Sequence, residues 1–154
     1  MVASVSLQTH IKTASRSSLL LLAVLATSLL PGCATNPVTG KQDFVLMSES
    51  EEICLGGQYH QQITKEMPVY NDPELAAYVN QVGQRVARAS HRPELDYHFT
   101  VLDSQMVNAF ALPGGYVYIT RGIMAYLNSE AELAAVLGHE VGHVTARHSV
   151  RQHS

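Results

Sequence analysis

His139 and His143 stand four residues apart in the run His139-Glu140-Val141-Gly142-His143. On a helix each residue advances about 100°, so the two imidazoles lie about 40° apart on one face. Both can then reach one zinc ion at the ~2.0–2.1 Å of a zinc–nitrogen bond. Glu140 falls about 100° from His139 and about 60° from His143, off the ligand line but beside it. A carboxylate there can take a proton from a water whose pKa zinc brings to about 7. It can then hand that proton to a leaving amine. The chemistry implied is hydrolysis of a peptide bond. The alternative is two surface histidines that share this spacing by chance. It fits less well, because the run lies inside a capped helix with an apolar side.

That helix opens at Asn128-Ser129, where Ser129 and Glu132 have the spacing of a capping box. Leu133, Val136, Leu137, Val141 and Val144 supply its apolar side. His148 lies five residues past His143, about 140° around a continuing helix. While the helix continues it cannot share the metal, and a structural or supporting role is expected. His91, His98 and His153 have no ligand spacing. Glycine at 146 and histidine at 149 would mark a metzincin; Ala146 and Ser149 stand there instead. Catalytic zinc usually has three protein ligands and a water. Nothing upstream nominates itself, and the sequence runs 11 residues past His143. The third ligand, a Glu on a later helix, is therefore expected beyond Ser154, and residues 48–154 read as the N-terminal part of an incomplete domain.

The elements upstream must frame this helix. Ser48 with Glu51 makes another capping box, opening a helix toward Met67. Gly56-Gly57 weakens that helix and suits close packing. Asp72-Pro73 is a strong start for a second helix. It should run to about Ser90, with Leu75, Tyr78, Val79, Val82 and Val86 at helical spacing and Arg85 and Arg88 near its C-terminal end. Tyr97–Leu102 reads as a strand. Val107–Ala111 and Tyr116–Ile119 flank Leu112-Pro113-Gly114-Gly115, which suits a type II turn and hence a hairpin or β-bend. Gly122 to about Leu127 should be a short helix.

The 154 residues, 46% hydrophobic and 15% charged, fit one modest globular domain. A net charge of −3 gives no reason to expect nucleic acid as a partner. Residues 1–32 read as an export signal. Lys12 and Arg16 precede the mostly apolar run Leu19–Leu30, which is short of the roughly 20 residues of a spanning helix. A buried core helix is the weaker alternative. Leu30-Pro31-Gly32-Cys33 resembles a bacterial lipobox, which implies lipidation at Cys33; Pro31 departs from the usual pattern. Ala34 after the cysteine favours the outer membrane by the same resemblance. Residues 33–47 read as a tether. Only Cys33 and Cys54 are present, so a disulfide framework is not expected. A Cys33–Cys54 bridge in a secreted protein is the alternative.

Three stretches carry a family resemblance: Asn108–Gly115, Tyr116–Gly122, and Glu132–His148 ending in HEVGHVTARH. They resemble the gluzincin family of the CAAX prenyl endopeptidase and the HtpX peptidase, and within it the periplasmic lipoproteins of outer-membrane quality control. The likeness covers about residues 35–154 and is dense over 105–148. It implies an α+β, zincin-like fold, mostly helical, with a small β-sheet and an active-site helix. By position it makes His139 and His143 ligands of one zinc ion and Glu140 the catalytic glutamate. It sets Asn108–Ile119 beside the cleft, with Asn108, Ala109, Phe110, Gly114 and Gly115 as candidate substrate contacts. Plain structural pairing of that segment is an equal alternative. The implied function is a zinc endopeptidase, lipid-anchored in the periplasm and acting on misfolded or stalled envelope proteins. A non-proteolytic chaperone on the same scaffold and an incomplete, weakly metal-binding product are the other readings.

Overall fold

The structure, a computed structural model, describes residues 34–35, 42–43, 47–148 and 150. The expected signal, Cys33 and most of the tether lie outside them. Ala34–Thr35 (β1) and Gln42–Asp43 (β2) form a short antiparallel pair.

Local signals set the helix starts. The Ser48 hydroxyl accepts from the Glu51 N–H at 3.3 Å, and the Glu51 carboxylate accepts from the Ser48 N–H at 2.8 Å. This reciprocal cap opens α1, Glu49–Glu66. Hydrogen bonds from the Ser48 side chain and backbone hold the Glu51 carboxyl below its ordinary range. Asp72 caps α2, Pro73–Arg88, by accepting from the Leu75 N–H at 3.0 Å, with Pro73 at its first position.

The sheet has three strands: His98–Leu102 (β3), Ala109–Leu112 (β4) and Tyr116–Thr120 (β5). Its order is β3-β5-β4, with β3 parallel and β4 antiparallel to β5. The expected hairpin is present. Gly114 has φ 74° and ψ 17°, the geometry of the third residue of a type II turn. The parallel pairing of β3 with β5 was not expected, and it makes β4 an edge strand. Arg121–Met124 (α3) and Glu130–Thr145 (α4) follow. The whole is α+β.

Alternation along β5 separates two layers. Val117 and Ile119 face a buried cluster containing Val79, Val82, Leu133, Leu137 and Val141 of α2 and α4. Tyr116 and Tyr118 face α1, where both stack on His60. The Tyr118 hydroxyl lies 2.8 Å from His60 Nδ1, and burial pushes its phenol well above the usual tyrosine range. A Cβ on Gly56 would meet the Pro113 carbonyl oxygen at 2.0 Å, so only glycine lets α1 approach the β4–β5 turn this closely. Gly57 has ordinary room, so the pair of glycines serves packing through Gly56. No helix among the described residues is long and apolar enough to cross a membrane.

Candidate metal centre

Helix α4 positions the histidines. The Ser129 hydroxyl accepts from the Glu132 N–H at 3.2 Å, while the Glu132 carboxylate accepts from the Asn128 N–H at 2.6 Å. The cap therefore spans Asn128 and Ser129, one residue wider than the spacing alone implies. Leu133, Leu137, Val141 and Val144 are all at most 4% exposed and fix the helix's rotation. That rotation turns His139 and His143 outward together. Their Nε2 atoms lie 3.0 Å apart, with ring planes at 86°. Two nitrogens bound to one tetrahedral zinc at ~2.0–2.1 Å are separated by about 3.3 Å, so the observed spacing fits a shared ion with a few tenths of an ångström of adjustment. Two neutral imidazoles also suit zinc as donors.

Glu140 is only 7% exposed yet borders the same cavity. That cavity, about 470 Å³, is lined by Ala109, Phe110, Ala111, His139, Glu140, His143 and His148. Among the described residues no group of three His, Cys, Asp or Glu side chains could share one ion. The two histidines by themselves would supply only part of a coordination shell.

The β4 edge forms the facing wall. The Thr120 N–H donates to the Asn108 carbonyl at 3.1 Å. With the register Phe110↔Tyr118 and Leu112↔Tyr116, alternation directs the backbone groups of Asn108, Phe110 and Leu112 toward β5. The N–H and C=O groups of Ala109 and Ala111 then point to the outer edge, which no other strand among the described residues pairs. Of the candidate substrate contacts, Ala109 and Phe110 reach the cleft, and Ala111 joins them. Asn108, Gly114 and Gly115 do not line it. A Cβ on Gly114 would lie 2.7 Å from the Ile53 Cα, and one on Gly115 would lie 2.2 Å from the Asp96 carbonyl. Both glycines have positive φ, so they serve the turn. Cys33 lies outside the described residues; Cys54 is an exposed free thiol.

The structure also brings together a group with no sequence signature. Glu52 is fully buried. Its Oε1 accepts from Arg92 Nη1 at 3.0 Å and from the Gly114 N–H at 3.2 Å, and its Oε2 pairs with Arg147 Nε at 2.9 Å. Arg92 Nη1 also donates to the Val144 carbonyl at 3.4 Å. Burial alone would lower the Arg92 guanidinium, but Glu52 and Glu49 outweigh it and hold it above its ordinary range. One carboxylate thus ties together the β4–β5 turn and the end of α4, the two sides of the cleft. Glu52 is placed like any acidic residue in a helix's first turn, so nothing in the sequence sets it apart.

His148 is not where a continuing helix would carry it. Helix α4 stops at Thr145 and Arg147 adopts φ 53°. The angular placement expected of His148 was conditional on a continuing helix, and the chain reversal removes that condition. His148 Nδ1 lies 2.8 Å from His143 Nδ1. Since His139 meets His143 at Nε2, the two contacts fall on opposite flanks of the His143 ring. His148 therefore contacts His143 on the flank away from His139 and stands apart from the Nε2 pair.

Residues 73–154 match the model of peptidase family M48. The chain is 34% identical over 123 residues to a beta-barrel assembly-enhancing protease of Yersinia pestis, covering 80% of this chain and 25% of that protein. It is 32% identical over 127 residues to the beta-barrel assembly-enhancing protease of Escherichia coli (strain K12), covering 82% and 26%. It is 35% identical over 85 residues to the mitochondrial metalloendopeptidase OMA1 of Arabidopsis thaliana, covering 55% and 18%. The chain spans about a quarter of the length of the bacterial relatives.

Proposed function

The chain belongs to the metallopeptidase family M48, and from that premise we propose that it is a zinc-dependent endopeptidase of the gluzincin type, cutting unfolded or misassembled proteins of the bacterial envelope. The observation that carries this reading is the 3.0 Å approach of His139 Nε2 and His143 Nε2 beside Glu140, in a cavity walled by the β4 edge strand. His139 and His143 would hold one zinc ion per domain, with a third protein donor, a carboxylate by family resemblance, completing the shell. When bound, zinc polarises the scissile carbonyl and makes water acidic enough to attack at neutral pH.

The chain's own residues do the rest. Glu140 takes a proton from the attacking water as its oxygen adds to the carbonyl carbon. As the C–N bond breaks, Glu140 gives the proton to the departing amine nitrogen. Burial of Glu140 strengthens its interactions with charge formed beside it. The outward N–H and C=O groups of Ala109 and Ala111 can add an extended substrate as a further strand. Backbone pairing reads no side-chain sequence and requires an extended chain, so it selects unfolded segments over folded ones. Phe110 borders the same cleft.

The bacterial relatives are named for enhancing beta-barrel assembly, which supports envelope proteins as the substrate class here. Residues 1–32 as a lipoprotein signal and Cys33 as the lipid-bearing residue would tether the enzyme in the periplasm, at the outer membrane. Nucleic acid has no place in this reading. The test is cleavage of a reduced, unfolded protein by the full-length enzyme. Activity is expected to fall to background after chelation and to return with about one equivalent of zinc. Cleavage that persists in chelator overturns the reading.

A further inference from the structure

We propose that His148 is a positioning residue, whose Nδ1 accepts a hydrogen bond from His143 Nδ1–H and so holds His143 in the tautomer that leaves Nε2 free for a cation. This rests on the metal centre proposed above. The two ring nitrogens of His143 have different neighbours: Nε2 faces His139 Nε2 at 3.0 Å, and Nδ1 faces His148 Nδ1 at 2.8 Å. A nitrogen–nitrogen contact of 2.8 Å needs one proton between the atoms. If His143 Nε2 is to offer its lone pair to an ion, the ring's proton must sit on Nδ1. His148 then accepts at Nδ1 and carries its own proton on Nε2. The outer nitrogen of a metal-binding histidine is commonly held by such a partner, which fixes tautomer and ring orientation together.

The fold supplies a device that brings His148 back. In a continuing helix it would lie about 140° from His143. The last α-helical bond runs from the Ala146 N–H to the Gly142 carbonyl at 3.0 Å; the Arg147 N–H then bonds to the Val144 carbonyl at 3.0 Å, and Arg147 takes a left-handed φ of 53°, uncommon for a residue with a side chain. Two contacts anchor Arg147 there: its Nε to buried Glu52 at 2.9 Å and its Nη2 to the Met47 carbonyl at 2.8 Å. The reversal aims the next residue, His148, at His143. The Glu52 cluster thus reaches the metal centre through one residue of backbone.

Two substitutions separate the hydrogen bond from mere filling of space. His148→Phe keeps a ring but removes the acceptor. His148→Asn is smaller, but its amide oxygen stands where the imidazole Nδ1 stood. In full-length protein, competition with a chromophoric chelator should show zinc binding weakened about 10–100-fold by His148→Phe and largely restored by His148→Asn. The cobalt-substituted protein should keep its visible spectrum in both variants, because no ligand is lost. In the ¹⁵N-labelled wild type without metal, coupling across the hydrogen bond should join the two Nδ1 atoms, with the proton on His143. Unchanged zinc binding in His148→Phe overturns the proposal. So does a cobalt spectrum altered in both variants, which would make His148 a ligand. A wild type that takes up no zinc would defeat the proposed function. The coupling and the site of its proton in metal-free protein would then decide the positioning role alone, as they also would if His148→Phe failed to fold.

Discussion

Glu140→Gln is expected to lower peptide-bond cleavage by about 10²–10⁴-fold while zinc remains bound. Gln keeps the shape and leaves His139 and His143 untouched, but its amide cannot accept a proton from water and release it to an amine. Glu140 contacts the cavity without being a donor to the ion in this reading, so metal content and proteolysis should separate in this variant. The measurement is initial rate on an unfolded substrate beside zinc content by mass spectrometry. Wild-type rates in the Glu140→Gln variant would rule out Glu140 as the general base. Retained prevention of aggregation alongside lost cleavage would show a chaperone activity on the same scaffold that does not need hydrolysis.

The second large effect belongs to stability. Glu52→Leu should cost about 3–5 kcal/mol, because it leaves two guanidiniums without their shared carboxylate. Their side chains are 9% and 12% exposed, so water cannot readily take over its role. The Gly114 N–H also loses its acceptor. Glu52→Gln should lie closer to wild type, since an amide oxygen can still accept from Gly114 and Arg92, although the charge is gone. A shift of the urea midpoint with unchanged slope would measure both variants. A Glu52→Leu protein as stable as wild type would mean that the cluster does not hold the cleft walls together.

These two residues differ in how far the sequence reveals them. The placement of Glu140 beside His139 and His143 is legible because they are one and three residues away, and helical geometry is known in advance. The same locality explains Ser48–Glu51 and Asp72–Pro73, where a cap is satisfied within three residues and was found as expected. The β4–β5 hairpin was also legible, since Pro113-Gly114 encodes its own turn. The parallel pairing of β3 with β5 was not, because strand alternation reports which face is buried and not which strand lies alongside. Glu52 was hidden for a related reason. Its partners Arg92 and Arg147 come from distant parts of the chain, and only folding turns three scattered charges into one cluster. The approach of His148 to His143 was hidden because local geometry describes only a regular helix. Arg147 breaks that geometry through a side chain anchored far away on α1, which no local pattern announces. The spacing of residues 139–143 remains the strongest single signal, and the fold sets it against a strand edge.

Zinc content of the purified full-length protein, beside His139→Ala and His143→Ala, tests the metal centre most directly. About one tightly held equivalent per chain is predicted for the wild type, with that zinc lost from either variant while the far-UV circular dichroism is unchanged. A wild type that binds no zinc, or variants that retain it, would contradict the centre on which the proposed chemistry depends.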